Sequence, residues 1–137
     1  MLDLGQAIKK NSTLILTDIR NNILFQAKES PHSSLYKYIY SNKDNLTGEY
    51  FIYGNQIGTA VANMVDMINI KKIVAYKISE VGLEILKQKD IQLEYSEIID
   101  LVKSSKNMNK VCSLEKRLLK LNKEQALKIM EEKYIKS

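Results

Sequence analysis

The sequence predicts an α/β domain in three layers, with helices on both faces of a five-stranded mixed sheet that opens on a β-hairpin. Three observations carry this. Residues 49–79 read as strand, turn, helix and strand, and such a unit implies two parallel strands. The strand-like runs 14–17 and 23–27 flank Asp18-Ile19-Arg20-Asn21-Asn22, whose Asp and Asn side chains suit a tight turn. Ile91, Leu93 and Tyr95 alternate with Gln92 and Glu94, the period of a half-buried strand. The hairpin is antiparallel and the central unit parallel, so the sheet is mixed.

Taken in order, Leu4, Ala7 and Ile8 suggest a short N-terminal helix, followed by the hairpin. Ser30-Pro31 reads as a helix start, because proline suits the first helical position, and Leu35, Tyr38 and Ile39 give that helix an apolar side. Residues 42–48 are a polar loop. In the central unit Tyr50–Tyr53 is a short strand and Gly54 a turn. Apolar residues at 57, 60, 61, 64, 65 and 68 then predict an amphipathic helix. Residues 73–78 form the next strand, in which Lys77 is the one charge. Ser79 caps a helix with Glu80 at its positive end, and Val81, Ile85 and Leu86 point inward. The alternating strand at 91–95 should lie at an edge. Ser96-Glu97 reads as the start of a further helix with Ile98, Ile99, Leu101 and Val102 inside. Val111, Leu114, Leu118 and Leu121 predict another helix, and Leu127, Met130 and Tyr134 line a last one.

A chain of 137 residues, 45% hydrophobic and 27% charged, is expected to be one domain over 1–137, with a C-terminal helix at 122–137. The single cysteine, Cys112, cannot form an internal disulfide, which fits a reducing, cytoplasmic setting. Nothing reads as a signal peptide or an apolar membrane span. The net charge of +5 is uneven: residues 1–100 carry a net −1 and residues 101–137 a net +6. A basic tail can be a solvated helical face or a footprint for an acidic partner. Tyr134 is the one aromatic within it, so nucleic acid is not the expected partner.

Gly58-Thr59-Ala60-Val61-Ala62, Ile78-Ser79-Glu80 and Cys112-Ser113-Leu114-Glu115-Lys116, with Leu93-Glu94-Tyr95 between, resemble a small uncharacterised bacterial family whose fold is similar to that of the cytidine deaminases. The family's Ala-Asp-Lys is here Tyr53-Gly54-Asn55, and the proline after its cysteine is here Ser113. The resemblance covers roughly residues 12–121 and implies a deaminase-like core there. Zinc deaminases hold the metal through His-x-Glu and Pro-Cys-x-x-Cys. The corresponding starts here are Pro31-His32-Ser33-Ser34 and Gly54-Asn55-Gln56-Ile57-Gly58, with neither the acid nor the cysteines. No metal, cofactor or zinc-dependent deamination is expected.

The helix start expected at Gly54, Asn55, Gln56, Gly58 and Thr59 is the leading ligand candidate. Free backbone N–H groups and a positive dipole end suit a small anionic, nucleotide-like ligand. Ser79 and Glu80 should begin the next helix on the same edge of the sheet. The plain alternative is that the glycines serve packing and the serine only caps. His32, the one histidine, is a candidate acid/base group or a surface residue. Cys112, with Glu115 one turn on, is a candidate nucleophile at a helix N-terminus or a small core residue. The expectation is therefore a zinc-free ligand-binding domain. Its rivals are an interaction module using the basic C-terminal helices and an enzyme using Cys112. Self-association is left open.

Overall fold

The computed structural model describes residues 14–27, 31–101, 117–119 and 121–136. Five strands form one mixed sheet in the order β2-β1-β3-β4-β5: β1 (Leu14–Asp18), β2 (Ile23–Ala27), β3 (Tyr50–Ile57), β4 (Ile70–Ser79) and β5 (Gln92–Ile99). β1 pairs antiparallel with both β2 and β3, whereas β3, β4 and β5 are mutually parallel. Four helices are described: α1 (Pro31–Asn42), α2 (Thr59–Met64), α3 (Glu80–Lys87) and α4 (Lys123–Tyr134).

The hairpin turn forms where its chemistry places it. The Asp18 carboxylate accepts from the backbone N–H groups of Arg20 and Asn22 and from the Asn22 side-chain amide, each at 2.9 Å. These bonds, the Asn22 side chain foremost, hold the Asp18 carboxyl below its usual pKa. Asn21 takes a positive φ of 63°, a conformation asparagine tolerates. Its side chain accepts from the Tyr53 hydroxyl at 2.6 Å, tying the turn to β3.

Residues of all four helices share one core with Leu14, Leu16, Ile52, Ile57, Ile73 and Ile78 of the sheet. The opposite sheet face carries a second cluster of Ile15 and Tyr53 with Phe51 and Val74, all strand residues. Among the described residues the helices thus lie on one face. The helix expected around 4–8 lies outside the described residues, as do residues 111–116 of the helix expected over 111–121; of that helix Arg117 and Leu118 are described as helical, with Leu118 buried in the same core. α4 is docked by Ala126 and Met130 in the core, and a capping box between Asn122 and Gln125 closes its start. Asp66 adds ion pairs to Lys89 at 2.7 Å and Lys123 at 3.2 Å. Burial pushes the Asp66 carboxyl up, but the two ammonium groups outweigh it and leave the pKa lowered.

Three expectations are corrected. β3 does not stop at Gly54 but continues to Ile57, with Gly54 paired to Leu14 on one side and Ala75 on the other. An interior strand gains ladder bonds from both neighbours, and these outweigh the turn preference of a glycine. The helix expected from Ile57 to Ile68 begins at Thr59 and ends at Met64. The chain turns over 65–69 to enter β4, where the Met67 N–H donates to the Met64 carbonyl at 2.9 Å and the Asn69 carbonyl accepts from the Tyr50 N–H at 3.0 Å. Finally, Ser96-Glu97 starts no helix. β5 continues at constant offset from β4 through Glu97, Ile98 and Ile99. Ile98, expected inside, is 52% exposed.

Candidate functional site

The parallel strands place the ends of β3 and β4, and the helix starts that follow them, on one edge of the sheet. Gly58 is the N-cap of α2 and Ser79 the N-cap of α3, with its hydroxyl accepting from the Gly82 N–H. A Cβ built at Gly82 would lie 3.0 and 3.1 Å from the Gly58 backbone. The two helix starts therefore touch, and Gly82 is what lets them. Of the expected ligand residues, Gly58, Thr59 and Ser79 come together here, but all three are buried, while Glu80 is exposed. Ser79 is committed to its cap. The packing and capping alternatives thus account for Gly58 and Ser79.

Gly54, Asn55 and Gln56 are not at a helix start. They belong to β3, so no helix dipole acts on them directly. Gly54 is buried, and a Cβ there would meet Ile57 Cδ1 at 2.5 Å. It leaves room for the Ile57 side chain, which is fully buried. Gly54→Ala should cost about 1 kcal/mol, near the low end for overpacking, because the far end of one side chain can shift. Chemical denaturation reads this out; an unchanged midpoint would show that the space is not needed.

Asn55 and Gln56 are partly exposed near the end of β3. The register sets Gln56 beside Lys77 of β4 and Lys77 beside Glu97 of β5. It carries Asn55, Tyr76 and Ser96 in the adjoining row. Lys77 lies on the strand between β3 and β5, is partly buried, and has no ion pair among the described residues. Its ammonium sits over the Tyr76 ring at 5.8 Å. By contrast Lys71 and Lys72 on the same strand pair with Glu49 at 3.9 Å and Glu94 at 3.6 Å. The sequence marks Lys77 as the lone charge of an apolar strand, but only the register shows its neighbours.

His32 is not brought to this edge. It lies in the first turn of α1, where burial first and the nearby Lys133 ammonium second push its pKa down to about 4. It is neutral at pH 7. Cys112 and Glu115 lie outside the described residues. Among the described residues no three His, Cys, Asp or Glu side chains are grouped to hold a metal, and no helix is long and apolar enough to cross a membrane.

Two grooves open at the opposite, amino ends of the parallel strands. One, of about 410 Å³, runs between the 65–71 turn and Lys89–Ile91. The other, of about 590 Å³, lies between the hairpin turn and residues 47–50. Their charged groups are largely engaged: Asp66 with Lys89, Lys71 with Glu49, and Asp18 within its own turn.

In comparisons with known proteins, no curated protein matches the chain. A crystal structure of a DUF1893 family protein from Thermotoga maritima is similar, with a TM-score of 0.71 and 24% identity over 88% of this chain and 80% of that one. At that identity the likeness concerns the fold. The model of the family described as a domain of unknown function, DUF1893, matches residues 5–134, nearly the whole sequence, and the chain therefore belongs to the DUF1893 family.

Proposed function

We propose that this chain is a binding domain for a small anionic, nucleotide-like ligand, held at the carboxyl ends of β3 and β4 with Lys77 as its anchoring cation. The observation that supports the reading is Lys77 itself: a partly buried lysine without an ion pair among the described residues, in register with the polar side chain of Gln56. A partly desolvated cation attracts an anion more strongly than a surface one does. Ligands of open α/β sheets commonly sit beyond the carboxyl ends of the strands. The strand order, with an antiparallel pair leading into three parallel strands, supports reading the fold as cytidine deaminase-like. That analogy suggests a nucleotide-like ligand but does not fix a reaction. Zinc-dependent deamination stays outside the reading, because the sequence lacks the ligand set.

The interaction-module reading gains little from α4. Its Lys123, Lys128 and Lys133 are balanced by Glu124, Glu131 and Glu132, and Lys123 is tied to Asp66.

The test is thermal unfolding of the full chain with inorganic phosphate and with a panel of nucleoside monophosphates. A ligand at a hundredfold excess over its Kd should stabilise by about 2.7 kcal/mol. Lys77→Gln should abolish that shift while leaving the ligand-free midpoint near the parent's. No stabilisation by any member, or an equal shift in Lys77→Gln, rejects the site.

A further inference from the structure

We propose that the outer edge of β5 is a docking edge for a lysine-rich, extended segment of another protein, which adds to the sheet as a further strand. β5 is last in the strand order and pairs with β4 alone among the described residues. Sheets usually blunt such an edge with a short strand, a lysine, a proline or a bulge. β5 has none of these. It runs for eight residues, carries neither lysine nor proline, and keeps a constant offset from β4. Its Tyr95 is 41% and its Ile98 52% exposed. The other edge differs: β2 has five residues, and its pairing with β1 slips between Leu16 and Thr17. Strand addition draws affinity from main-chain hydrogen bonds and selectivity from alternate side chains.

Charge selects the occupant. The charged residues of β5 are Glu94 and Glu97, and exposed Asp90 and Asp100 flank the strand. Glu94 is held by Lys72, whereas Glu97 has no ion pair among the described residues. A second copy pairing through β5 would bring acids and no lysine to this edge, so its charge does not complement it. Glu94 and Glu97 lie three residues apart, on opposite faces of the strand, as do Tyr95 and Ile98, so a strand with lysines three apart, each followed by an aliphatic residue, meets both the acids and the apolar pair. Glu97 neighbours Lys77 in the register, but the peptide titration contains no small anion, so its outcome does not depend on a ligand at Lys77.

The probe is a labelled valine-rich peptide with a lysine at every third position, equal in length to β5, titrated with the full chain in a fluorescence-anisotropy assay. Binding should weaken as salt rises, because charge pairing at an exposed edge is screened. Glu97→Gln and Ile98→Lys, both at exposed positions, should each reduce affinity by about fivefold or more with unchanged unfolding midpoints. A peptide with central proline should not bind, since it cannot complete the ladder. Absence of binding overturns the proposal. So does equal binding of the proline peptide, of a Glu/Val peptide, or of the wild-type peptide to the two variants. Light scattering that shows a dimer dissociated by Ile98→Lys would assign the edge to a second copy and overturn it as well.

Discussion

Gly82→Val is expected to lower stability by about 3 kcal/mol, combining overpacking with damage to a helix cap. The added Cβ alone would sit 2.9 Å from Ser79 Oγ and 3.0 Å from the Gly58 carbonyl carbon. The latter is backbone, fixed between β3 and α2, so it cannot swing aside as a side-chain terminus can. Ser79 Oγ is also occupied, as acceptor for the Gly82 N–H at 3.1 Å. Displacing it leaves a buried hydroxyl and the first N–H groups of α3 poorly matched. Intrinsic propensity runs the other way, since replacing a helical glycine with alanine gains about 1 kcal/mol. Gly82→Ala should therefore lose less than Gly82→Val, but should still lose. A urea titration of both variants decides between the two effects. An Ala variant more stable than the parent would mean that propensity wins and that the two helix starts do not meet closely.

Acidification should destabilise the protein through His32. Its folded pKa of about 4 lies below the ordinary value of 6.5, so the unfolded chain takes up the proton first. The stabilising contribution is complete above pH 6.5 and is lost as the pH falls toward 4. The loss should reach about 2 kcal/mol by pH 5 and about 3 kcal/mol by pH 4. The cause is the burial of the imidazole in the first turn of α1, to which the Lys133 ammonium of α4 adds. Asp18 and Asp66 have lowered pKa values, so their contributions hold above the ordinary 3.8 and fade only at lower pH. Among the described residues the window from 6.5 to 5 therefore isolates His32. Denaturant midpoints measured at pH 7 and pH 5 should converge in His32→Asn. If the variant keeps the full acid loss, another group is responsible.

Much of the fold was legible in the sequence, for local reasons. Asp18 and Asn22 carry their own turn chemistry, Ser79 its cap, and residues 123–134 the apolar spacing of a helix whose Asn122-to-Gln125 box closes on itself. These signals act within four residues and hold almost wherever the chain is placed. Of the candidate site, the residue types were legible but not their arrangement. Gly54, read as a turn, became a strand residue with pairing partners forty residues before it and twenty-one after it. Ser96-Glu97, read as a helix cap, was drawn into β5 by pairing with Lys77 and Ile78. Lys77 reads as one charge in an apolar strand until the register places Gln56 and Glu97 beside it. By itself the sequence determined those elements whose hydrogen bonds close within a turn or two of the chain. Tertiary structure decided strand lengths, which glycine makes room for which neighbour, and which side chains share a row. Those outcomes depend on ladder bonds and burial supplied by residues far away in sequence, and no local preference is strong enough to oppose them.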